Sequence, residues 1–304
     1  MQQMDNQKDN YNLKTGENKK VKISAGKIAG LILALMALIV YSVFAYEKTG
    51  TVIPTAELID GLPTIRFIDV GQGDCALVTY KGEAVLVDAG PGSSSESASE
   101  YIRMYSPTID YFIITHPHED HMGGAAEIIE RTYVDKLVMS TLVSDEEFYQ
   151  NTLDAAEKYG TDIVYLTDEA VFDTGNIKIT VFDLFDFKSD DFNNSSLFVK
   201  IEVEDTTLLI TGDAETEEEA YAVELLGDEL DCDILKTGHH GSRTSTSAEL
   251  LDAVTPEIAV VSCGRNNSYG HPNAEVLDRL NDYGIELYRT DYEGTVILRG
   301  EKSE

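Results

Sequence analysis

The chain has 304 residues, with 55 Asp and Glu against 23 Lys and Arg, for a formal net charge of −32. Apolar strand-like runs recur along it and exclude a wholly disordered chain. A body this acidic repels backbone phosphates, which disfavours a nucleic-acid binder of the basic-patch kind and a long DNA duplex as partner.

The charge is uneven. Residues 1–46 hold six Lys and three acids, leaving +3, and the remainder holds 17 basic and 52 acidic residues, leaving −35. After a short head (1–27), Ile28 to Tyr46 reads IAGLILALMALIVYSVFAY, 19 residues without a charge. That is about 28 Å of helix, enough to cross a bilayer. Lys19, Lys20, Lys22 and Lys27 precede it and Glu47 follows. The positive-inside rule then keeps the head in the cytoplasm and puts the body outside. The segment reads as an uncleaved transmembrane anchor (28–46) in the cell membrane. Val43-Phe44-Ala45 also resembles a cleavage site, and cleavage after Ala45 would make the body a secreted protein.

A polar linker (47–63) leads into dense α/β patterning over 64–300. Strands are predicted at 64–70, 75–80, 84–90 and 110–115, with a helix at 97–105 between the last two. A helix at 123–132, a strand at 136–140 and an amphipathic helix at 145–159 follow. Four more strands are predicted at 162–166, 177–185, 196–203 and 206–211, then a helix at 214–226 and a strand at 231–236. Helices at 247–253 and 273–283 bracket a strand at 257–262, and strands near 285–289 and 294–299 close the chain. Strands first, then strand–helix alternation, repeated after about residue 170, suggest a layered αββα or other α/β domain. Cys75, Cys232 and Cys263 each sit in an apolar run without CxxC spacing and are expected as buried free thiols. VGQGD (70–74) lacks the rest of a dinucleotide fingerprint, so its glycines read as a tight turn.

All six histidines fall at the ends of predicted strands: His116, His118 and His121 in THPHEDH, His239 and His240 in KTGHHGS, and His271 in NNSYGHP. Strand-end loops are where α/β proteins gather functional groups. Imidazoles with a carboxylate suit zinc or a similar divalent ion. His116, His118, Asp120 and His121 are four donors within six positions, more than one open site needs. They suit two adjacent ions, with His116 and His118 on one and Asp120 and His121 on the other.

These motifs resemble the metallo-β-lactamase-fold hydrolases. The wider run resembles one branch, the extracytoplasmic hydrolase domain of ComEC-type competence (DNA-uptake) proteins. FIDVGQGDCALV (67–78), VLVDAG (85–90), ITHPHEDHMGG (114–124), NSSLFVKIE (194–202), LLITGDAE (208–215), DILKTGHHGS (233–242), PEIAVVSCGRNNSYGHP (256–272) and YRTDYEGTV (288–296) carry the likeness, in order. The resemblance implies an αββα metallo-β-lactamase-type sandwich, with Asp213 as the metal-bridging carboxylate and Asp88 orienting a ligand. Most of the superfamily has a further His before the bridging Asp. Here no His lies between His121 and His239, and Asn194 and Ser195 stand in that region. His239, favoured over His240, would complete the site of His116, His118 and Asp213, and His271 that of Asp120, His121 and Asp213. Asn194 and Ser195 would touch substrate or a metal water. Lys236, His240, Ser242 and Arg243 stand beside the site and could bind a phosphate oxygen.

The expected function is a metal-dependent hydrolase using two divalent ions, zinc first and manganese second, with Asp120, Asp213 and His240 as catalytic residues. The expected substrate is a phosphodiester, in the form of a short nucleic-acid strand or another small anion. Acyl hydrolysis of a β-lactam or thioester, and a non-catalytic metal-binding surface module, are the alternatives.

Overall fold

Short apolar runs separated by glycines and charged turns fold into fourteen strands among the described residues. The computed structural model describes residues 61–184, 187 and 191–300. The head, the expected anchor and nearly all of the linker lie outside them. Among the described residues no helix is long and apolar enough to cross a membrane.

Strands β1 (Thr64–Phe67), β2 (Ala76–Tyr80) and β3 (Glu83–Val87) form an antiparallel meander. The chain then alternates: α1 (Ser95–Tyr105), β4 (Thr108–Ile113), α2 (Glu119–Met122), α3 (Ala125–Arg131), β5 (Tyr133–Ser140), α4 (Glu147–Tyr159) and β6 (Asp162–Leu166). Strands β3 to β6 pair in parallel, as helical crossovers require. The same progression recurs. Strands β7 (Ala170–Asp173), β8 (Lys178–Phe182), β9 (Phe198–Val203) and β10 (Thr206–Ile210) are antiparallel. After them come α5 (Thr216–Leu226), β11 (Ile234–Lys236), α6 (Ala248–Val254), β12 (Ile258–Val261), α7 (Ala274–Asp282) and β13 (Glu286–Arg289), with β10 to β13 parallel. Finally α8 (Thr290–Glu293) leads to β14 (Val296–Arg299), which returns to pair antiparallel with β1.

The result is two seven-stranded sheets, ordered β14-β1-β2-β3-β4-β5-β6 and β13-β12-β11-β10-β9-β8-β7. Strand alternation sorts side chains into layers. Val85 and Val87 of β3, with Val199 and Ile201 of β9, belong to a core shared by both sheets. Ala84 and Leu86 face a second core with Ile102 of α1 and Ile128 of α3. Phe198 and Leu209 face a third with Ala222 of α5 and Leu250 of α6. Both faces of each sheet are covered, which is why the parallel strands read as continuous apolar runs. This is the αββα arrangement.

The differences from the sequence reading are local. The strand expected at 84–90 stops at Val87, because Asp88 turns with φ of 59°. Strand β7 was not predicted: AVFD is a short edge strand with two exposed residues and no long apolar run. The three cysteines are buried and free. Burial pushes the Cys232 thiol up to about 12, so it is inert as a nucleophile.

Candidate metal centre

The site assembles where β3, β4, β10, β11 and β12 end, with the turn after β1 beside them. Backbone geometry aims the side chains. Asp88, His239 and His240 all adopt left-handed φ, at 59°, 46° and 54°. L-residues are held there only by surrounding structure, and such residues cluster at functional sites. Buried Glu219 accepts from the amides of Thr246 and Ser247 at 2.5 and 2.8 Å, pinning the loop that follows the histidine pair. Gly73 lies against the next element: a Cβ there would sit 2.4 Å from the Asp120 carbonyl oxygen.

Asp88 is fully buried and organises the first cluster. It accepts from the Thr115 amide at 2.8 Å and from the Thr115 hydroxyl at 2.8 Å, and its Oδ2 lies 2.8 Å from His121 Nδ1. A carboxylate only accepts, so His121 Nδ1 carries its proton and Nε2 keeps the lone pair. Thr115 gives its single proton to Asp88. Its oxygen therefore accepts from His116 Nδ1, 3.2 Å away, which leaves the lone pair of His116 on Nε2. That atom is 3.0 Å from His118 Nδ1, so two ring nitrogens converge.

His240 follows the same logic. Its Nδ1 donates to the Ser262 carbonyl at 3.0 Å, freeing Nε2. His240 Nε2 then faces Asp120 Oδ2 at 3.2 Å and Asp213 Oδ2 at 3.4 Å. On the other oxygen of Asp213, His121 Nε2 stands 3.2 Å away. His239 Nε2 is 3.7 Å from Asp213 Oδ2, and its Nδ1 is 3.5 Å from Glu215 Oε1. The His271 ring lies 5.6 Å from that of His239 and 6.5 Å from that of His240. His118, Asp120, Asp213, His239, His240 and His271 line a pocket whose wall also includes Gln72, Asn193 and Tyr269.

The donor set fits divalent ions. His121 Nε2, Asp213 Oδ1 and His240 Nε2 are buried without a hydrogen-bond partner, although carboxylate and imidazole atoms stand 3.2–3.4 Å apart. Buried polar atoms left without a partner cost free energy, which a cation bound among them would offset. The electrostatics agree. Burial opposes charge on His121 and His240, yet Asp213, with Asp88 and Asp74, holds both pKa values well above the usual histidine range. Burial likewise opposes charge on Asp213, and His240 and His121 hold it well below the usual carboxylate range. Burial, aided by His121, pushes His116 well down. Burial, aided by His239, brings His271 down to about 4.

Other expected residues are placed differently. Lys236 is fully buried and pairs with Asp74, and it also reaches the Gly212 carbonyl at 3.4 Å. It is a counter-ion inside the fold, not a surface cation that could meet a phosphate. Asn194 is buried and bonded to Glu215, accepting from its amide at 3.1 Å. Ser195 donates to the Asp191 carbonyl. Their neighbours take the site positions: Asn193 lines the pocket, and Ser196 Oγ accepts from the Asp213 amide and lies 3.4 Å from His116 Nδ1. Ser242 is buried and bonded to Thr244 Oγ1, while Arg243 is exposed in the same loop. Between His239 and His240, the more buried His240 makes the closer approach to Asp213.

Asp74 and Thr115 were not singled out in the sequence. Asp74 hides in what reads as a glycine turn, and Thr115 as the last residue of a strand. The sequence signal for both was their place in FIDVGQGDCALV and ITHPHEDHMGG, two of the stretches that carry the family likeness.

Residues 68–265 match the model of the metallo-beta-lactamase superfamily. The chain is 30% identical over 255 residues to "ComE operon protein 3" of Bacillus subtilis, covering 77% of this chain and 33% of that protein. It is 30% identical over 239 residues to "Competence protein ComA" of Neisseria gonorrhoeae, covering 75% and 31%. Both are ComEC-type competence proteins, and the chain spans about a third of their length. Among solved structures, the metallo-beta-lactamase fold protein YhfI of Bacillus subtilis superposes with a TM-score of 0.52 at 13% identity, covering 78% of this chain and all of that one. Two mixed sheets between helices, strand-end histidines around one buried Asp and a matching family model agree: the chain belongs to the metallo-beta-lactamase superfamily.

Proposed function

We propose that this chain is a membrane-anchored hydrolase acting outside the cytoplasm, cleaving phosphodiesters with two divalent ions, zinc first and manganese second. The observation that carries the chemistry is the Asp213 carboxylate, buried, with a freed imidazole Nε2 beside each of its oxygens. The competence-protein relatives and the uncharged segment 28–46 support the substrate class and the location.

His116, His118, Asp120, His121, Asp213 and His240 would hold the ions, with His239 and His271 at the open side. When bound, such ions acidify a water and offset charge on phosphoryl oxygens. The remaining work belongs to the protein. Asp88 and Thr115 set the tautomers of His121 and His116, so that lone pairs face inward. Asp120 is held ionised: burial opposes this, but His240 and His121 outweigh it and keep its carboxyl below the usual range. It can therefore accept a proton bond from the attacking water and orient it. Arg243, exposed in the loop that follows the histidine pair, is a cation that could meet a substrate oxygen. With a body charge of −35, a short strand or small diester reaches this pocket more readily than a duplex lying along the surface.

The test is cleavage of bis-p-nitrophenyl phosphate by the purified full chain with zinc or manganese, beside nitrocefin turnover and elemental analysis. Diester cleavage abolished by Asp213→Ala is the expected result. Unchanged cleavage in that variant, or turnover of nitrocefin alone, overturns the proposal.

A further inference from the structure

Asp74 is a buried carboxylate that the proposed hydrolysis does not use, at the end of the Gly-x-Gly-Asp turn between β1 and β2. Its backbone ties two loops together: its amide donates to the Asp120 carbonyl at 3.1 Å, and its carbonyl accepts from the Gly90 amide at 2.7 Å. Its side chain points the other way, into the second half of the fold. Oδ1 lies 3.2 Å from His240 Nδ1, and Oδ2 meets the Lys236 ammonium. Asp74, His121, Asp213 and His240 bring their ligand atoms within 4.8 Å of one another, which is close enough to suggest that all four share an ion.

The directions argue against that. Asp74 stands on the Nδ1 side of both rings, at 3.2 Å from His240 and 3.8 Å from His121. Asp213 and Asp120 stand on the Nε2 side. An imidazole offers a metal one lone pair in the ring plane, and the protonated nitrogen of His240 is Nδ1, because it donates to the Ser262 carbonyl. An ion on Asp74 would face that N–H and the Lys236 ammonium. Asp74 is therefore behind the ring, on the side where Asp88 stands behind His121, but it acts on His240 by charge at ion-pair distance, the hydrogen bond of Nδ1 going to the Ser262 carbonyl.

We infer that Asp74 is a positioning residue: with the Ser262 carbonyl it holds His240 in the Nδ1–H tautomer with Nε2 aimed at Asp213, and buried Lys236 is its built-in counter-ion. The inference rests on the metal-centre reading above. It assigns the Gly-x-Gly-Asp turn a part in metal binding, by linking the first sheet's turn to the second sheet's histidine. Carboxylates in this position fix ring orientation and raise ligand basicity, and their loss weakens metal affinity about 10–100-fold.

The test uses the full chain with zinc as probe. Wild type, Asp74→Asn and Asp74→Asn/Lys236→Met are compared by zinc content at saturation, affinity in competition with a chelating dye, and ring-nitrogen NMR of the zinc-loaded protein. The double variant removes the stranded ammonium and is measured in place of the single one if that fails to fold. The expected result is unchanged zinc content, affinity about 10–100-fold weaker, and a His240 Nδ1–H resonance that is shifted and exchanges faster, with that of His121 retained. Loss of one ion at saturating zinc would make Asp74 a ligand and overturn the inference. So would wild-type affinity with unaltered His240 resonances. A wild-type chain that takes up no zinc refutes the metal centre itself, a distinct outcome read before any variant is compared.

Discussion

Replacing Thr115 by Val tests the tautomer argument with almost no change in shape. Thr115 is fully buried, so the substitution opens no cavity and trades one hydroxyl for a methyl. That hydroxyl donates to Asp88 at 2.8 Å and accepts from His116 Nδ1 at 3.2 Å. A hydrogen bond to a charged group contributes about 1.5–3 kcal/mol, and an ordinary one about 1 kcal/mol. Asp88 keeps its bonds to the Thr115 amide and to His121, while the His116 N–H is left with only Ser196 Oγ, 3.4 Å away. The expected loss is thus roughly 2–4 kcal/mol. For a domain of this size that lowers the melting temperature by roughly 4–16 °C. Thermal melts in EDTA read the fold alone, and melts with zinc read the additional loss at the centre. Thr115→Ser keeps the hydroxyl and should recover most of the difference. If Thr115→Val melts in EDTA within about 1 °C of wild type, well short of that range, the hydroxyl does not carry the role assigned to it.

Two further outcomes follow from the geometry. In the metal-free protein His121 and His240 have raised pKa values, burial notwithstanding, because of Asp213 and the carboxylates behind them. Their stabilising protons are fully present below an unfolded value of about 6.5 and are lost as pH rises through the raised folded values. Metal ligation displaces those protons, so the gain in melting temperature on adding zinc should grow from pH 6 to pH 8.5. The ceiling is about 1.4 kcal/mol per pH unit for each displaced proton. A gain that is flat or shrinks with pH contradicts the assignment. Gly73→Ala places a Cβ 2.4 Å from the Asp120 carbonyl at a φ of 144°, and backbone cannot yield there cheaply. It should destabilise the protein by about 2 kcal/mol or more and weaken zinc binding with it. Wild-type denaturant midpoints and zinc affinity would show that the turn and the Asp120 loop are not rigidly coupled.

Which parts of this protein could be read from its sequence follows from the range of the interactions involved. His116, His118, Asp120 and His121 are legible because their spacing puts four metal donors into little more than one turn, whatever the chain does elsewhere. The strand–helix order is legible for a similar reason: burial on both sheet faces makes each inner strand a continuous apolar run. The brief edge strand β7 lacks that run and was invisible.

Contacts between distant segments were not legible. Lys236 reads as a cation at a strand end beside the site, and only packing shows that it is enclosed with Asp74. Asn194 and Ser195 were the residues noted between the histidine clusters, but the turn there directs Asn193 and Ser196 to the site instead. His239 and His240 are equivalent on paper. Their successive left-handed backbone conformations, and the Ser262 carbonyl behind one ring, bury His240 and leave the side chain of His239 22% exposed. By itself the sequence determined which chemical groups this protein carries and at which strand ends they emerge. Only the tertiary structure decided which nitrogen of each histidine is free, because a ring's tautomer is set by the partner behind it, and those partners arrive from other parts of the chain.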